Sequence, residues 1–279
     1  MQKITFHNNA NGLDAAFASD TPQQFLSAFD GNSLGAEFVQ FTPVNRNGTR
    51  TLSHALSART ITFTAVWYGV ENGRRSRSKA LELWQTLQYA FAIGDVGTLT
   101  WTNGSDVRTI ECYAVETPEL HESLGGLFSA EFTLTADYPL WKGSEEHLRT
   151  FSGTFTSDGL TLVNPCPIAV PFTVVLDGNI VSVYCPAQEK RLDIDVSRHG
   201  GYDYPVYIDT ARQRVYGFSP NGGGELTEDD LTSCLSPQSA FFDLMPGSNL
   251  IVLTMNASSA ETDATVKFEW YDYYMGVSK

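Results

Sequence analysis

Thr60-Ile-Thr-Phe-Thr-Ala-Val-Trp67 places Ile61, Phe63, Ala65 and Trp67 on one side of an extended chain and Thr60, Thr62, Thr64 and Val66 on the other. A period of two is hard to reconcile with a helix, where neighbours on a face recur every three or four residues. The stretch predicts a strand with one face against a core. Phe128-Ser-Ala-Glu-Phe-Thr-Leu-Thr-Ala136 repeats the pattern, with Phe128, Ala130, Phe132, Leu134 and Ala136 on one side. Reading outward by the same rule gives strands at 37–42, 98–102, 107–117 and 127–136 in the first half of the chain. The run Trp101-Thr-Asn-Gly-Ser-Asp106 carries the Asn-Gly pair of a tight hairpin joining two of them.

One segment departs from that period. Within Ser78–Phe91, the apolar residues Ala80, Leu83, Trp84, Leu87 and Phe91 recur at helical spacing. This predicts a single amphipathic helix over about residues 76–93, begun by Ser76 or Ser78 and ended before Gly94. The first half therefore reads as a β-sandwich or barrel-like domain with one helix laid against a sheet.

Around Tyr138-Pro-Leu-Trp-Lys-Gly-Ser-Glu-Glu146 the alternation is interrupted by Pro139, Gly143 and a charge pair. A domain boundary is placed at 142–150, giving domains of 1–145 and 146–279. Beyond it, strands are expected near 170–177, 180–184, 191–196, 206–209, 214–218, 248–255 and 265–271. Short strands at this spacing, with almost no helical period, indicate a second β-sandwich. Residues 219–230 read as a loop opened by Pro220 and Gly222–Gly224.

The 279 residues are 42% hydrophobic and 18% charged, a globular composition of about two domains. Lys and Arg number 18 against 32 Asp and Glu, a formal net charge of −14. That balance argues against duplex nucleic acid as the main partner, which needs clustered cations. No apolar run approaches the length of a membrane span. Met1–Ala10 lacks the apolar stretch of a secretory signal, and the four cysteines form no CxxC, so a protein folded in a reducing cytoplasm is expected. The Asn-x-Ser/Thr matches at Asn47, Asn103 and Asn256 carry little weight without a secretion route.

Chemistry-bearing constellations are few. No GxSxG or HExxH occurs, and His7, His54, His121, His147 and His199 sit in polar or loop-like surroundings, as surface histidines do. Arg191-Leu-Asp-Ile-Asp-Val196 puts Asp193 and Asp195 on one strand face, which a glycoside hydrolase would use and a solvated face explains equally simply. Glu225, Glu228, Asp229 and Asp230 read as a solvated acidic loop, and Gly222–Gly224 lacks the Lys-Ser/Thr of a phosphate loop. No catalytic, cofactor or metal residue is assigned, and no enzyme activity or cofactor is expected. Trp270, Tyr271, Tyr273 and Tyr274 are candidate exposed aromatics for stacking on sugars, against the plainer reading of core packing.

Arg74, Arg75, Arg77 and Lys79 form the dense basic cluster of the chain. Cations at a helix start oppose its dipole, so acidic neighbours or a partner explain the run better than helix stability. A subunit interface is the sharper of those readings.

Taken in order, Thr60-Ile-Thr-Phe-Thr-Ala-Val-Trp-Tyr-Gly69, Ala80-Leu-Glu-Leu-Trp-Gln-Thr-Leu87, Gly97-Thr-Leu-Thr-Trp101 and Phe128–Trp141 resemble the distal tail protein family of long-tailed bacteriophages. Asp137-Tyr-Pro-Leu-Trp141 resembles the close of that family's first domain. Gly159, Asn164-Pro165, Pro171-Phe172, Ile208-Asp-Thr210, Arg214-Val-Tyr216 and Leu244–Ile251 extend the likeness through the second half. The resemblance implies a structural virion protein whose first domain builds a hexameric ring with a central channel. It implies a galectin-like second domain, and a place in the phage tail joining the tail tube to the tail tip and host-adsorption apparatus. Its implied partners are copies of itself, the tail tube protein, the tail hub or tip protein and a receptor-binding protein. Binding of nucleic acid or membrane is not expected. A carbohydrate-binding module within residues 150–279 is the alternative, but no sugar-contact motif carries over residue by residue.

Overall fold

The alternation at residues 60–67 becomes one strand of a sheet that closes on itself. The computed structural model describes residues 1–21, 23–41, 49–123, 125–155, 159–178, 180–199, 203–221, 224–255 and 264–277, leaving aside the His54 side chain. The chain divides into two units, Glu145–Tyr273 and the remainder, in which the segment beginning at Tyr274 joins Met1–Ser144.

Unit 1 opens with β1 (Gln2–Asn8), β2 (Asp14–Ala18) and β3 (Gln24–Asp30), followed by β4 (Ala36–Phe41), β5 (Arg50–Leu56) and β6 (Arg59–Trp67). Two short strands, β7 (Val70–Glu71) and β8 (Arg74–Arg75), lead into α1 (Arg77–Ala90). Then come β9 (Val96–Asn103), β10 (Asp106–Ala114), β11 (Leu120–Ser123), β12 (Leu127–Ala136) and the start of β13 (Trp141–Gly153). The sheet runs β11-β12-β6-β3-β2-β1-β9-β10, and a further β10–β12 pairing closes it into a barrel-like loop. Its pairings are antiparallel except β2 with β3.

The inward parity is the expected one: Ile61, Phe63, Ala65 and Trp67 are buried, as are Phe128, Ala130, Phe132, Leu134 and Ala136. Phe63 stacks on Phe132 at 4.7 Å between ring centroids, and Trp67 stacks on Trp84 of the helix at 5.8 Å. Ala80, Trp84, Leu87 and Ala90 form the helix's buried face and join the same core. Ser76 caps the helix and Phe91 ends it, slightly inside the expected span. Asn8, fully buried, donates to Ala90 O at 2.9 Å and accepts from the amides of Ala10 and Asn11. That tethers β1 to the end of the helix and satisfies a polar group that burial would otherwise penalise. The β9–β10 hairpin turns through Gly104 at φ +62, with Asn103 paired to Asp106, as the Asn-Gly signal predicts.

Unit 2 contains the rest of β13, then β14 (Leu160–Asn164), β15 (Phe172–Asp177), β16 (Ile180–Cys185) and β17 (Lys190–Asp193). It continues with β18 (Val206–Asp209), β19 (Arg214–Pro220), β20 (Leu226–Asp230), β21 (Gly247–Met255) and β22 (Ala264–Tyr274). One sheet runs β13-β22-β15-β18-β19-β20 and the other β14-β21-β16-β17. Phe172, Val174, Ile208 and Phe268 from the first share a core with Leu162, Val183, Leu192 and Leu253 from the second, which makes the unit a β-sandwich.

Several expectations are corrected. The units part between Ser144 and Glu145, within the expected 142–150, but inside the continuous strand β13, where exposed Glu145 and Glu146 do not break the strand, and the segment from Tyr274 returns to unit 1. The strand expected over 107–117 stops at Ala114, and the one over 191–196 stops at Asp193. Ile194 makes an isolated bridge to Leu235, and Asp195 precedes a 3-10 turn at Val196–His199. The acidic stretch expected to be a loop includes β20, paired with β19 from Tyr216↔Asp230 to Pro220↔Leu226. Gly222 and Gly223 lie outside the described residues, as do Asn47 and Asn256.

Candidate functional site

β4 and β5 form a two-stranded sheet that pairs with no other strand among the described residues. Its base is closed by Ser57 N donating to Gly35 O at 3.1 Å. All six residues of β4 are exposed, with Phe38 58%, Val39 57% and Phe41 53% accessible, and Leu52 of β5 is 60% accessible. Phe38 and Val39 are consecutive, so they point to opposite faces and leave both faces of the arm apolar. An isolated hairpin is marginally stable in water, and covering apolar surface gains about 25 cal/mol per Å². The arm thus carries exposed apolar surface on both sides. The sequence shows this where alternation fails, in Glu37-Phe-Val-Gln-Phe41, which reads as a strand with no polar side.

The basic cluster lies at the start of the helix. Arg74 and Arg75 form β8, which pairs with β7 across Asn72 and Gly73, both at positive φ. Arg75 donates to Gly125 O at 3.1 Å and lies over the Tyr68 ring. Arg77 forks onto Glu122 at 2.8–3.1 Å, and Lys79 meets Glu82 at 2.7 Å. Ser76 Oγ accepts from Lys79 N and donates to Glu71. Acidic residues of the same chain thus account for much of this charge, and Arg74 has no partner among the described residues.

The Arg77 hydrogen bond holds the Glu122 carboxyl below its ordinary range, and Glu122 in turn raises Arg77. A depressed carboxylate contributes stability above its unfolded value and loses it as pH falls through the folded one. Both groups are solvent-exposed, where such pairs contribute little. A carboxyl NMR titration should place the Glu122 midpoint below that of a glutamate in a reference peptide. Arg77→Gln should return it upward, and an unchanged midpoint overturns the assignment.

Trp270 corrects the expectation of an exposed aromatic: it is 3% accessible. Val266, Phe268 and Trp270 share the inward parity of β22, and Trp270 stacks on His147 at 5.4 Å. Tyr271 and Tyr273 are half-buried, while Tyr274 is exposed and lies beneath the Arg108 guanidinium at 3.9 Å. His147 is likewise no surface histidine; it is half-buried in β13 and bonded to Asp272 at 2.9 Å. An unforeseen trio, Tyr207, Tyr216 and Phe218, sits on adjacent strands. Its rings engage one another, with Tyr207 and Tyr216 stacked at 5.2 Å and Arg214 over Tyr216 at 4.2 Å.

The carboxylates singled out in the sequence hold local roles. Asp193 pairs with Arg191 at 2.9 Å, and Asp195 accepts from Ser197 and faces Arg198. Glu228 pairs with Arg214, Asp229 accepts from Ser219 and Asp230 from Thr232. Among the described residues, no three His, Cys, Asp or Glu side chains converge on a metal position. All four cysteines are buried thiols; desolvation pushes Cys112 up to about 12 and, helped by its bond to Asp272, Cys166 to about 11. No helix among the described residues is long and apolar enough to cross a membrane.

No family model and no curated protein matches the chain. Solved structures do. The crystal structure of SPP1 Dit (gp 19.1), called a paradigm of hub adsorption apparatus in Gram-positive infecting phages, aligns with a TM-score of 0.63 at 16% identity. The alignment covers 97% of this chain and 99% of that one. The phage P2 baseplate in its activated conformation with calcium aligns with a TM-score of 0.54 at 11% identity, over 99% and 100% of the two chains. The same baseplate with strontium gives 0.53 at 10% identity. The chain shares the fold of these phage hub and baseplate proteins over almost its whole length.

Proposed function

We propose that this chain is a structural subunit of a phage tail, a distal tail hub protein that assembles with copies of itself into a ring at the tail's end. The observation that carries the reading is the β4–β5 arm, a two-stranded extension whose Phe38, Val39, Phe41 and Leu52 are all more than half exposed. A protruding arm on one copy and a different receiving surface on the next make a heterologous contact, which closes into a ring when its rotation allows. Shared fold with the SPP1 Dit protein and the P2 baseplate supports the tail setting. Six copies, a central channel and docking to tail tube, tail-tip and receptor-binding proteins are what the family resemblance adds. On this reading the protein works by holding neighbours in place and performs no catalysis. Arg74 and its neighbours near the helix start offer the charged part of the same subunit contact.

Light scattering tests this directly. The purified chain should give about six times 30.7 kDa, and with its tail partners that mass plus theirs. The triple change Phe38→Ser, Val39→Ser, Phe41→Ser should return it to one copy while leaving the circular dichroism spectrum intact. A wild-type chain that stays monomeric with its partners present, or an arm variant that still forms the ring, overturns the proposal.

A further inference from the structure

The segment Tyr274–Val277 belongs to unit 1 although everything from Glu145 to Tyr273 belongs to unit 2. Its four residues are each held separately. The Arg108 guanidinium covers the Tyr274 ring, donates to Gly276 O and forks back onto Asp106 at 2.8–3.0 Å. Arg59, fully buried, donates to Met275 O, Gly31 O and Pro139 O. Asn32 Oδ1 accepts from Val277 N at 2.8 Å. The Val277 side chain is buried in the same core as Ile4, Trp101 and Trp141. A Cβ at Gly276 would come within 2.3 Å of Asn32 Oδ1, so a larger residue there pushes the Asn32 amide off its bond to Val277 N.

We infer that this returning segment is the closing piece of unit 1, so that the arm-bearing unit becomes fully folded only after the whole of unit 2 has been made. Two buried or half-buried arginines depend on it for acceptors: without Met275 O and Gly276 O, each loses one of its bonds inside the fold. A buried donor left without its acceptor is costly, so the incomplete unit is destabilised where its charges sit deepest. Val277 adds its own apolar plug to the barrel. Unit 2 is thus an insertion in unit 1, and a chain interrupted before residue 274 lacks part of the first unit's core. The further step, that a partly made chain is thereby kept from joining a ring, rests on the function proposed above; the closing role of the segment does not.

Hydrogen exchange read by mass spectrometry on the full-length chain tests it, with Gly276→Ala and Val277→Asp compared against Met275→Ala. The exposed Met275 side chain makes the last variant a control, because only its backbone is used. In the first two variants, protection of β1, β6 and β9 should fall by at least about tenfold while that of β15, β16 and β21 holds. Met275→Ala should exchange as the wild type does. Unchanged protection of unit 1 in both test variants overturns the inference, and so does an equal loss in the two units. Light scattering on the same samples judges the second step: a loosened unit 1 that still forms rings overturns the link to assembly alone. A wild-type chain that forms no ring would instead count against the proposed function and leave the exchange result standing.

Discussion

Phe63→Ala should destabilise unit 1 by about 3–5 kcal/mol, to be read by urea unfolding followed through tryptophan fluorescence. Phe63 lies almost parallel to Phe132 at 4.7 Å and meets Phe91 at 5.8 Å and Phe17 at 5.9 Å, so three aromatic rings lose a shared neighbour at once. These rings come from β2, β12 and the end of the helix, and little backbone can move inward to fill the hole. Thr62→Ala, one residue away on the half-buried face, should cost less than about 1 kcal/mol. The contrast between adjacent positions is the quantitative form of the parity in Thr60–Trp67. A double-mutant cycle of Phe63 and Phe132 should return a coupling of about 0.5–1.5 kcal/mol beyond area loss. Similar costs at 62 and 63 would mean that this strand does not divide core from surface.

Arg59→Met is expected to cost a further several kcal/mol, about 3–5, despite the similar length and apolar character of the new side chain. The native guanidinium spreads donors to Gly31 O, Pro139 O and Met275 O. Methionine fills the space and leaves three carbonyls without that partner, at about 1–3 kcal/mol for each that finds no water. Burial lowers the Arg59 pKa, with Asp30 opposing the shift, so the site carries a desolvation cost that the hydrogen bonds offset. Arg59→Lys keeps the charge but replaces a rigid fork with a point donor, and should recover only part of the loss. Unfolding midpoints of the two variants decide the matter. A methionine variant within about 1 kcal/mol of wild type would show that the buried fork contributes little.

Legibility in the sequence followed the physics of each element. Leu127–Ala136 was readable to the residue and Arg59–Trp67 to within one, because one face is core and the other is not. The helix was readable from its cap and its apolar spacing. β1 has the same parity, with Ile4 and Phe6 inward, but its third inward residue is Asn8, a polar group made tolerable by bonds to a distant helix end. β5 and β20 are polar because they lie at open sheet edges, where composition resembles that of a loop. The charges of β13 interrupt an apolar pattern without interrupting the strand. Trp270 stood as a candidate surface aromatic beside the reading of core packing, and the alternation of Val266, Phe268 and Trp270 with Thr265, Lys267 and Glu269 carries the core reading, which its burial matches. The arm was readable as a strand, while its exposure depended on which other strands lay nearby. Arg59 and its three carbonyls join residues 31, 59, 139 and 275, a convergence that no local window contains.

β20 ends its sheet with Glu228, Asp229 and Asp230 in succession. An unpaired strand border normally invites a second molecule to dock backbone to backbone, the first step toward fibrils. Here any identical border drawn alongside would set Asp229 and Asp230 against their own copies, with Glu228 already paired to Arg214, so templated stacking through this margin is opposed by repulsion. This border of the sandwich is therefore guarded against seeding a fibril by its own charge.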